Sequence, residues 1–395
     1  MNPRIVLVCN GRFHHFDLAK QLHRHGMLER LFTSYPSFKL RDEGLPEGRV
    51  TTFPWIMTPR MALARWGVGP ELLERYLTRW AQGSLDRYVA SHLPDCDVVL
   101  ALSGSGLRVG RCAQRRGGRY VCDRGSSHIR YQDAILREEF SRWGDRFVGV
   151  DPKVMAKEER EYEAADVITV PSECVRRSFV EMGVPAGKLR KVRYGVDLRR
   201  FERVASPATQ TFDVLFVGQV SFRKGIPDLL QAFAQFRHPH KRLRLVGGVL
   251  PEIKRFLAQH SPTPQVEFLG PVAQYRLKEL MSRSHVMVLP SVEEGLALVQ
   301  AQALACGCPV IGTFNSGAED LFTDGVEGFI VAPRDPGALA DRLQLLADDS
   351  DRREEMSDAA LRRVKVMGGW DQYGDDMVTV VRELVQRHER SASRG

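Results

Sequence analysis

Short apolar runs alternate with amphipathic, helix-like segments along almost the whole chain of 395 residues. Each run is continuously apolar, and most are followed by a polar or glycine-containing turn and then a helical pattern. Such runs are typical of parallel strands that are covered by helices on both faces. The predicted strands are Ile5–Val8, Val98–Leu102, Tyr120–Cys122, Val167–Val170, Val214–Val217, Leu243–Val246, Val266–Leu269, Val286–Leu289, Val310–Ile311 and Gly328–Val331. The sequence therefore predicts an α/β protein.

These runs outnumber the strands that one sheet usually contains, and the alternation breaks near the middle of the chain. There a strand-like segment, Leu189–Tyr194, gives way to a polar stretch before a new buried strand opens at Asp213. We therefore predict two doubly wound, Rossmann-like parallel-sheet domains, at residues 1–195 and 196–370. They would face each other across a cleft at the C-terminal ends of their strands. A last helix, residues 371–395, is predicted to fold back over the first domain.

Charge and cysteine content limit the class of protein and its partners. The net charge of +8 favours anionic partners such as phosphates, although an arginine-rich solubility surface would give the same value. The seven cysteines are odd in number and contain no Cys-x-x-Cys pair, which indicates neither a disulfide framework nor a zinc site. No apolar run approaches the length of a membrane span. We expect a cytoplasmic protein that at most lies on the inner face of the cell membrane.

The segment Trp55–Val89 interrupts the alternation of strands and helices. Its tryptophans and tyrosines are interleaved with arginines. A helix pair resting on an anionic membrane surface would have this composition. An ordinary amphipathic helix with its aromatic residues in a core would have it too, so both interpretations stay open.

Two adjacent cations follow a predicted strand of the second domain. The strand ends at Gly218, and a short loop then carries Arg223 and Lys224. A helix begins after Gly225, with Pro227 in its first turn, where the missing N–H is not needed. Arginine offers a planar fork and lysine a point charge, so such a turn can hold a diphosphate. A solvated, exposed Arg-Lys pair is the plain alternative, and this motif alone does not decide.

A second charged loop follows the buried strand at residues 285–289. A helix is predicted to begin near Gly295, and its free N–H groups over Gly295–Leu298 would suit an anion. Glu294 lies at the mouth of this loop, where a carboxylate can accept hydrogen bonds from sugar hydroxyls. An acidic residue favoured by the helix dipole is the simpler explanation for Glu294. Gln302 follows two helical turns later.

Taken together, these stretches resemble the glycosyltransferase family 4 enzymes, and the resemblance extends over nearly the whole chain. The matching stretches are Asn10–Ala19, Val170–Glu173, Tyr194–Phe201, Gly218–Gly225, Pro290–Gly295 and Cys308–Pro333. The resemblance implies the GT-B fold and transfer of a hexosyl-type group from a nucleotide-sugar to an acceptor hydroxyl. It also implies that the anomeric configuration of the donor is retained.

The resemblance assigns roles to individual residues. It implies that Arg223 and Lys224 hold the diphosphate and that Glu294 contacts the sugar. It also implies that His128, in the loop after a first-domain strand, positions the donor sugar, with the acceptor as a second candidate partner. The other predicted donor-binding residues are Gly11, Arg12, Gly218, Val272, Gly295, Leu296, Ala297, Leu298 and Gln302. His14 and His15 stay ambiguous, because either could pack or cap the following helix.

The chain departs from the family signature at one position. The signature is Glu, seven residues, Glu; Glu294 matches the first position, but the second is Gln302. By resemblance that residue hydrogen-bonds the donor ribose. Glutamine keeps a carbonyl acceptor and adds donors, so we expect ribose binding to survive. The substitution keeps open a nucleotide-sugar-binding protein without turnover, and an epimerase of the same fold is the other alternative.

No metal or other cofactor is expected. Arg223, Lys224 and the following helix N-terminus would stabilise the departing diphosphate, and the leaving phosphate can take the proton of the acceptor. Asp95-Cys-Asp97 and Asp349-Ser-Asp351 fit an Asp-x-Asp metal signature, but the first precedes its strand and the second lies in an acidic surface run. The expected partners are the nucleotide-sugar donor, a saccharide or lipid-linked saccharide acceptor and an anionic membrane surface. No nucleic-acid recognition motif is present.

Overall fold

The computed structural model describes residues 2–46, 48–55, 58, 80 and 83–392, with side chains as far as residue 386. Most of the segment Trp55–Val89 lies outside these residues, so its contact with a membrane stays a prediction. Among the helices of the described part, none combines the length and apolarity needed to cross a bilayer.

The first sheet has seven parallel strands in the order β3-β2-β1-β4-β5-β6-β7. Strands β1 to β7 are Ile5–Cys9, Leu28–Thr33, Val50–Thr52, Val98–Leu102, Arg119–Asp123, Val167–Val170 and Leu189–Lys191. Helices α1 to α5 are His15–Arg24, Leu107–Arg115, Ile129–Arg142, Pro152–Ala164 and Glu173–Glu181, and residues 83–91 are also helical.

The second sheet has six parallel strands in the order β10-β9-β8-β11-β12-β13. Strands β8 to β13 are Phe212–Val217, Lys241–Val246, Val266–Gly270, Val286–Leu289, Val310–Thr313 and Gly328–Val331. Helices α6 to α11 are Ile226–Gln235, Pro251–Gln259, Gln274–Ser282, Val299–Ala305, Pro336–Asp348 and Ser350–Lys365, and α12 is Trp370–Ala392. Short 3₁₀ turns lie at Ser37–Lys39, Arg41–Glu43, Ala186–Lys188, Phe314–Ser316 and Ala318–Asp320.

The two parallel sheets confirm the predicted fold class. Two strands were not predicted, β2 and β3. In β2, Glu29 and Arg30 are half-buried and interrupt the apolar run, so the continuous pattern of a central strand is absent. β3 has only three residues, all of them half-buried. Strands near a sheet edge need less apolar surface, and pattern reasoning therefore overlooks them.

The strand orders decide where a ligand can lie. In the first sheet the order reverses beside β1, which has β2 on one side and β4 on the other. In the second sheet β8 lies between β9 and β11 in the same way. A reversal opens a crevice at the C-terminal ends of the strands, because the connecting helices leave on opposite faces. The loops after β1, β5, β8 and β11 line these crevices.

Helix α3 joins the two halves of the molecule. The Phe140 ring packs edge-on against Phe222 with centroids 5.0 Å apart. Arg142 donates to both carboxylate oxygens of Asp228 on α6, at 2.7 and 2.8 Å. The cores of the two sheets are therefore connected through one helix, close to the crevices.

The last helix, α12, packs against α1 and the first sheet, where Tyr373 and Met377 share a buried cluster with Ile5 and Leu7. Its apolar face accounts for this position. The division of the chain at residue 195 stays a prediction.

Candidate active site

The loop between β8 and α6 carries Arg223 and Lys224. Gly225 ends this loop with a φ of 68°. A Cβ atom at Gly225 would also collide with the carbonyl oxygen of Pro290. Both observations exclude a larger residue, since glycine tolerates positive φ and close backbone approach. The turn therefore holds Arg223 and Lys224 against the loop that follows β11.

Arg223 and Lys224 contact two adjacent carboxylates. Arg223 Nε donates to Glu293 Oε2 at 2.7 Å, and Lys224 Nζ is ion-paired with Glu294 Oε2. Burial, followed by repulsion from Arg223, lowers the pKa of Lys224 to about 7, although Glu293 opposes this shift. The Arg223 side chain is 37% exposed, so its terminal nitrogens remain accessible to a ligand. The structure thus brings three predicted residues together: Arg223, Lys224 and Glu294.

Glu293 is the deepest group of this cluster and reaches the other domain. Its side chain is 1% exposed. Its carboxylate accepts hydrogen bonds from Ser126 Oγ at 2.8 Å, Ser127 Oγ at 2.5 Å and Gln132 Nε2 at 3.0 Å. Burial alone would raise the pKa of Glu293, but Arg223 and these donors outweigh burial and lower it to about 2. Glu293 is therefore a charged link between the two halves of the crevice.

Sequence reasoning missed Glu293. Two neighbouring glutamates precede Gly295, and only the second matches the family signature. The role of Glu293 depends on Ser126 and Ser127, more than 160 residues earlier in the chain. The one sequence signal was the pair of serines in the loop after β5, because two neighbouring hydroxyl groups are suitable hydrogen-bond donors for a buried carboxylate.

The Gly295 loop touches the first domain directly. A Cβ at Gly295 would collide with the carbonyl oxygen of Gly125. Ser172 Oγ donates to the Gly295 carbonyl at 2.5 Å. Gly218 lies beside the cations, since a Cβ there would be 4.0 Å from Lys224 Cε. Small residues are therefore required where the two domains meet below the cations.

The predicted helix start near Gly295 is wrong. The helix, α9, begins at Val299, and Gly295–Leu298 form a loop. The Ala297 N–H donates to the Ser316 carbonyl at 3.1 Å, so this group is not free for an anion. Gly295 and Ala297 each have a tertiary partner, and those bonds hold the segment out of helical geometry. Leu296 and Ala297 are buried and Leu298 is half-buried, as the floor of the crevice.

His128 does not occupy the position that its predicted role requires. Its ring packs at 4.9 Å from the Tyr162 ring and at 5.0 Å from Phe179, inside the first domain. Its Nδ1 accepts a hydrogen bond from the Arg130 N–H, which makes His128 the N-cap of α3. Burial, followed by repulsion from Arg124, lowers the pKa of His128 to about 4. The loop reaches the cluster through Ser126 and Ser127, and the histidine ring turns away.

The loop after β1 contributes a different histidine. His14 Nε2 is hydrogen-bonded to Asp123 Oδ2 at the end of β5, and His15 Nε2 lies 3.6 Å from the same oxygen. Among the described residues, these three are the group whose ligand atoms lie close enough to hold a metal ion. Burial, followed by repulsion from His14, lowers the pKa of His15 to about 3, so His15 is neutral.

The two remaining predicted residues of this loop, Gly11 and Arg12, make their recorded contacts with residues other than Arg223 and Lys224. Arg12 pairs with Glu43 at 2.7 Å, and its side chain is 65% exposed. Gly11 is half-buried, and its carbonyl accepts a weak hydrogen bond from Cys9 Sγ at 3.4 Å. Their contact with a donor stays a prediction.

Gln302 and Val272 are half-buried, on α9 and after β10 respectively. Gln300, two residues earlier, is the buried glutamine of this helix. Its Nε2 donates to the Ser316 carbonyl at 3.1 Å. Gln300 therefore supports the loop, and the contact of Gln302 with a donor ribose stays a prediction.

Replacing Gln302 with glutamate is expected to change kcat/KM by less than about tenfold, because either side chain offers an oxygen acceptor to a ribose hydroxyl. The rate with the preferred donor measures this. Gln300→Glu is the contrasting control, since it would bury a carboxylate against the Ser316 carbonyl. A complete loss of activity in Gln302→Glu would show that its assigned role is wrong.

The two Asp-x-Asp stretches have structural contacts. Asp97 Oδ2 accepts a hydrogen bond from the Arg4 N–H at 2.6 Å, at the N-terminal end of β4. Asp349 caps α11 by accepting from the Arg352 N–H at 2.9 Å. Each stretch therefore has a local role away from the crevice.

The sequence of the second domain matches one family model. Residues 199–363 match the family model described as glycosyl transferases group 1. This segment, less than half of the chain, is similar to the group 1 glycosyltransferases. All of the cluster contributed by the second domain, from Arg223 to Gln302, lies inside the matched range.

Individual curated relatives match over part of their length. D-inositol 3-phosphate glycosyltransferase 2 of Catenulispora acidiphila is 29% identical over 247 residues, 56% of this chain and 58% of that protein. The D-inositol 3-phosphate glycosyltransferase of Streptomyces avermitilis is 31% identical, over 52% of this chain and 48% of that protein. The chain thus aligns with about half of the length of these curated relatives.

Solved structures extend the likeness to the whole fold. Sucrose-phosphate synthase from Thermosynechococcus elongatus has a TM-score of 0.70 and 22% identity, covering 97% of this chain and 100% of that chain. Anabaena HepE in complex with UDP-glucose has a TM-score of 0.63 and 18% identity, covering 100% of both chains. At these identities the likeness shows the fold, which is GT-B.

Proposed function

We propose that this chain is a retaining glycosyltransferase that moves a hexosyl-type group from a nucleoside-diphosphate sugar to an acceptor hydroxyl. The observation that carries the proposal is the Arg223–Lys224 turn, held by Glu293 and Glu294 at the C-terminal edge of the second sheet. Support comes from the match of residues 199–363 to the group 1 family model and from the solved complex of a structural neighbour with UDP-glucose. Relatives that act on inositol phosphate support a role in glycoconjugate or surface polysaccharide synthesis.

The proposed step needs no nucleophile from the protein. The bond between the anomeric carbon and the phosphate oxygen breaks, and a bond from that carbon to the acceptor oxygen forms on the same face. The acceptor proton passes to the leaving phosphate. Arg223 and Lys224 stabilise the charge that grows on the diphosphate, because fixed cations in a partly dry site need no reorganisation.

Calorimetry with UDP-, GDP- and ADP-sugars tests the donor half of the proposal. We expect one nucleotide class to bind with a dissociation constant of about 1–100 μM. Release of nucleoside diphosphate, with and without saccharide acceptors, then separates the activities. Release that requires an acceptor supports transfer. Conversion of the donor without an acceptor would indicate an epimerase, and binding without either would indicate a binding protein.

Turnover is expected to persist in excess chelator. The proposed charge stabilisation comes from Arg223 and Lys224, so removal of divalent cations should change the rate by less than about twofold. The assay is nucleoside diphosphate release in EDTA, with and without added Mg²⁺ or Mn²⁺. Loss of turnover that either ion restores would contradict the metal-independent proposal.

A further inference from the structure

His14 and Asp123 form a hydrogen-bonded pair at the first-domain edge of the crevice. Asp123 ends β5 and is 2% exposed, and its Oδ1 accepts from Thr169 Oγ1 at 2.6 Å. Its Oδ2 contacts His14 Nε2. A carboxylate that accepts the Nε2 proton fixes the imidazole tautomer, which leaves a lone pair on Nδ1. Within the described part of the chain, Nδ1 of His14 makes no hydrogen bond.

The pair adjoins the loop that touches the second domain. The His14 ring stacks on Tyr194 with centroids 4.2 Å apart. A Cβ at Gly125 would lie 3.7 Å from His14 Cε1 and 2.8 Å from Tyr194 Oη. Gly125 in turn lies against Gly295, the neighbour of Glu294. Only this glycine loop therefore separates His14 from the cluster that carries Arg223 and Lys224.

Unsatisfied polar atoms surround the same position. Tyr194 Oη is buried and has no hydrogen-bond partner among the described residues. Both ring nitrogens of His15 are likewise buried without a partner in that part of the chain. Native proteins rarely leave such groups unpaired, since burying a polar group without a partner is costly. These unpaired atoms adjoin the His14 ring, whose side chain is 10% exposed.

We propose that His14, oriented by Asp123, accepts a hydrogen bond from the attacking hydroxyl of the saccharide acceptor. The inference rests on the proposed function. His14 orients the hydroxyl, and the proton still passes to the leaving phosphate. Asp123 acts as a positioning residue, because it touches His14 and sets its tautomer. The first domain thus supplies an acceptor contact opposite the cations of the second domain.

A metal ion is the competing occupant of this cluster. Two ligands of one transition-metal ion stand about 3 Å or more apart, since each lies near 2 Å from the metal. His14 Nε2 and Asp123 Oδ2 are instead in direct hydrogen-bond contact. The observed contact therefore favours a hydrogen-bonded pair.

The test compares His14→Ala, His14→Gln and Asp123→Asn with a matched control, His25→Gln. His25 lies at the far end of α1 and also pairs with an aspartate, Asp375, at 2.7 Å. The readouts are kcat/KM for methyl glycosides of glucose, galactose, mannose and N-acetylglucosamine, affinity for the nucleoside diphosphate, hydrolysis of the donor by water, and melting temperature.

We expect His14→Ala to lower kcat/KM for the acceptor about 100-fold, with nucleotide affinity and donor hydrolysis within about twofold of wild type. His14→Gln should keep more activity than His14→Ala, because its carbonyl can accept the same hydrogen bond. Asp123→Asn should lower acceptor kcat/KM about tenfold or more through the wrong tautomer. His25→Gln should match wild type.

Four results would overturn the inference. Transfer by His14→Ala at the wild-type rate would remove His14 from the acceptor site. An equal loss of nucleotide affinity and transfer would show a structural role. If Zn²⁺ restored transfer activity that the wild type had lost in chelator, the cluster of His14, His15 and Asp123 would be a metal site. A wild type that binds nucleotide but transfers to no acceptor would contradict the proposed function and this inference together. This failure is distinguished from a failure of the inference alone because it is seen in the wild type, before any His14 variant is measured.

Discussion

Replacing Arg223 with alanine is expected to lower kcat/KM by about 30- to 1,000-fold, equivalent to 2–4 kcal/mol of transition-state stabilisation. Arg223 is the exposed cation of the cluster, and its Nη2 atom lies 3.9 Å from Glu294 Oε1. Its loss removes a cation from the place where charge grows on the leaving diphosphate. The measurement is steady-state release of nucleoside diphosphate, together with nucleotide affinity from calorimetry.

Two further variants make this result specific. Arg283→Ala removes an arginine whose side chain is 58% exposed, on the far end of α8, and should leave kcat/KM unchanged. Arg223→Lys keeps the charge but loses the planar fork, so an intermediate rate is expected. If Arg223→Ala remains folded and binds and turns over donor as wild type does, the second-domain cluster is not the donor site.

Glu293→Gln is expected to lower the free energy of unfolding by about 3 kcal/mol at pH 7. The substitution removes the closer of the two carboxylates that Arg223 contacts and weakens the bonds from Ser126 and Ser127. Breaking one side of a buried ion pair costs about 3–5 kcal/mol, and the amide recovers part of this. Urea unfolding, followed by circular dichroism, measures the difference. Glu279→Gln, at an exposed glutamate, should change the free energy of unfolding by less than about 0.5 kcal/mol.

The same carboxylate predicts a pH dependence with a definite sign. Its pKa is lowered from 4.5 to about 2 in the folded protein. The stabilisation by Glu293 is therefore fully present above pH 4.5 and is lost as the pH falls through about 2. The loss amounts to about 3 kcal/mol. Wild type and Glu293→Gln should converge in free energy of unfolding as the pH falls; curves that stay parallel would contradict this.

The fold was predictable because its signal is local and repeated. A continuous apolar run as short as Val286–Leu289 favours a strand in a sheet covered on both faces, and the following helix then sets a parallel neighbour. β2 escaped prediction because Glu29 and Arg30 break that pattern. The start of α9 escaped for another reason, since the N–H of Ala297 bonds to Ser316, a partner that no local pattern reveals.

The residues of the candidate site likewise divide into those that a local pattern predicts and those that depend on tertiary contacts. Arg223, Lys224 and Glu294 were predictable because their strand–loop–helix setting carries a recognisable spacing. Glu293 was not, because its hydrogen bonds cross to Ser126 and Ser127. His128 was chosen by loop position alone, and the structure turns its ring toward Phe179.

The sequence by itself determined two parallel sheets, a pair of cations after β8 and an acidic loop after β11, because each depends on residues close together in the chain. The tertiary structure alone decided which glutamate links the domains and which histidine lies beside the Gly125 loop. Both outcomes depend on the approach of Gly125 to Gly295, a contact between loops 170 residues apart. Side-chain direction at such a contact is set by packing and by paired buried charges, and neither property is written in a local pattern.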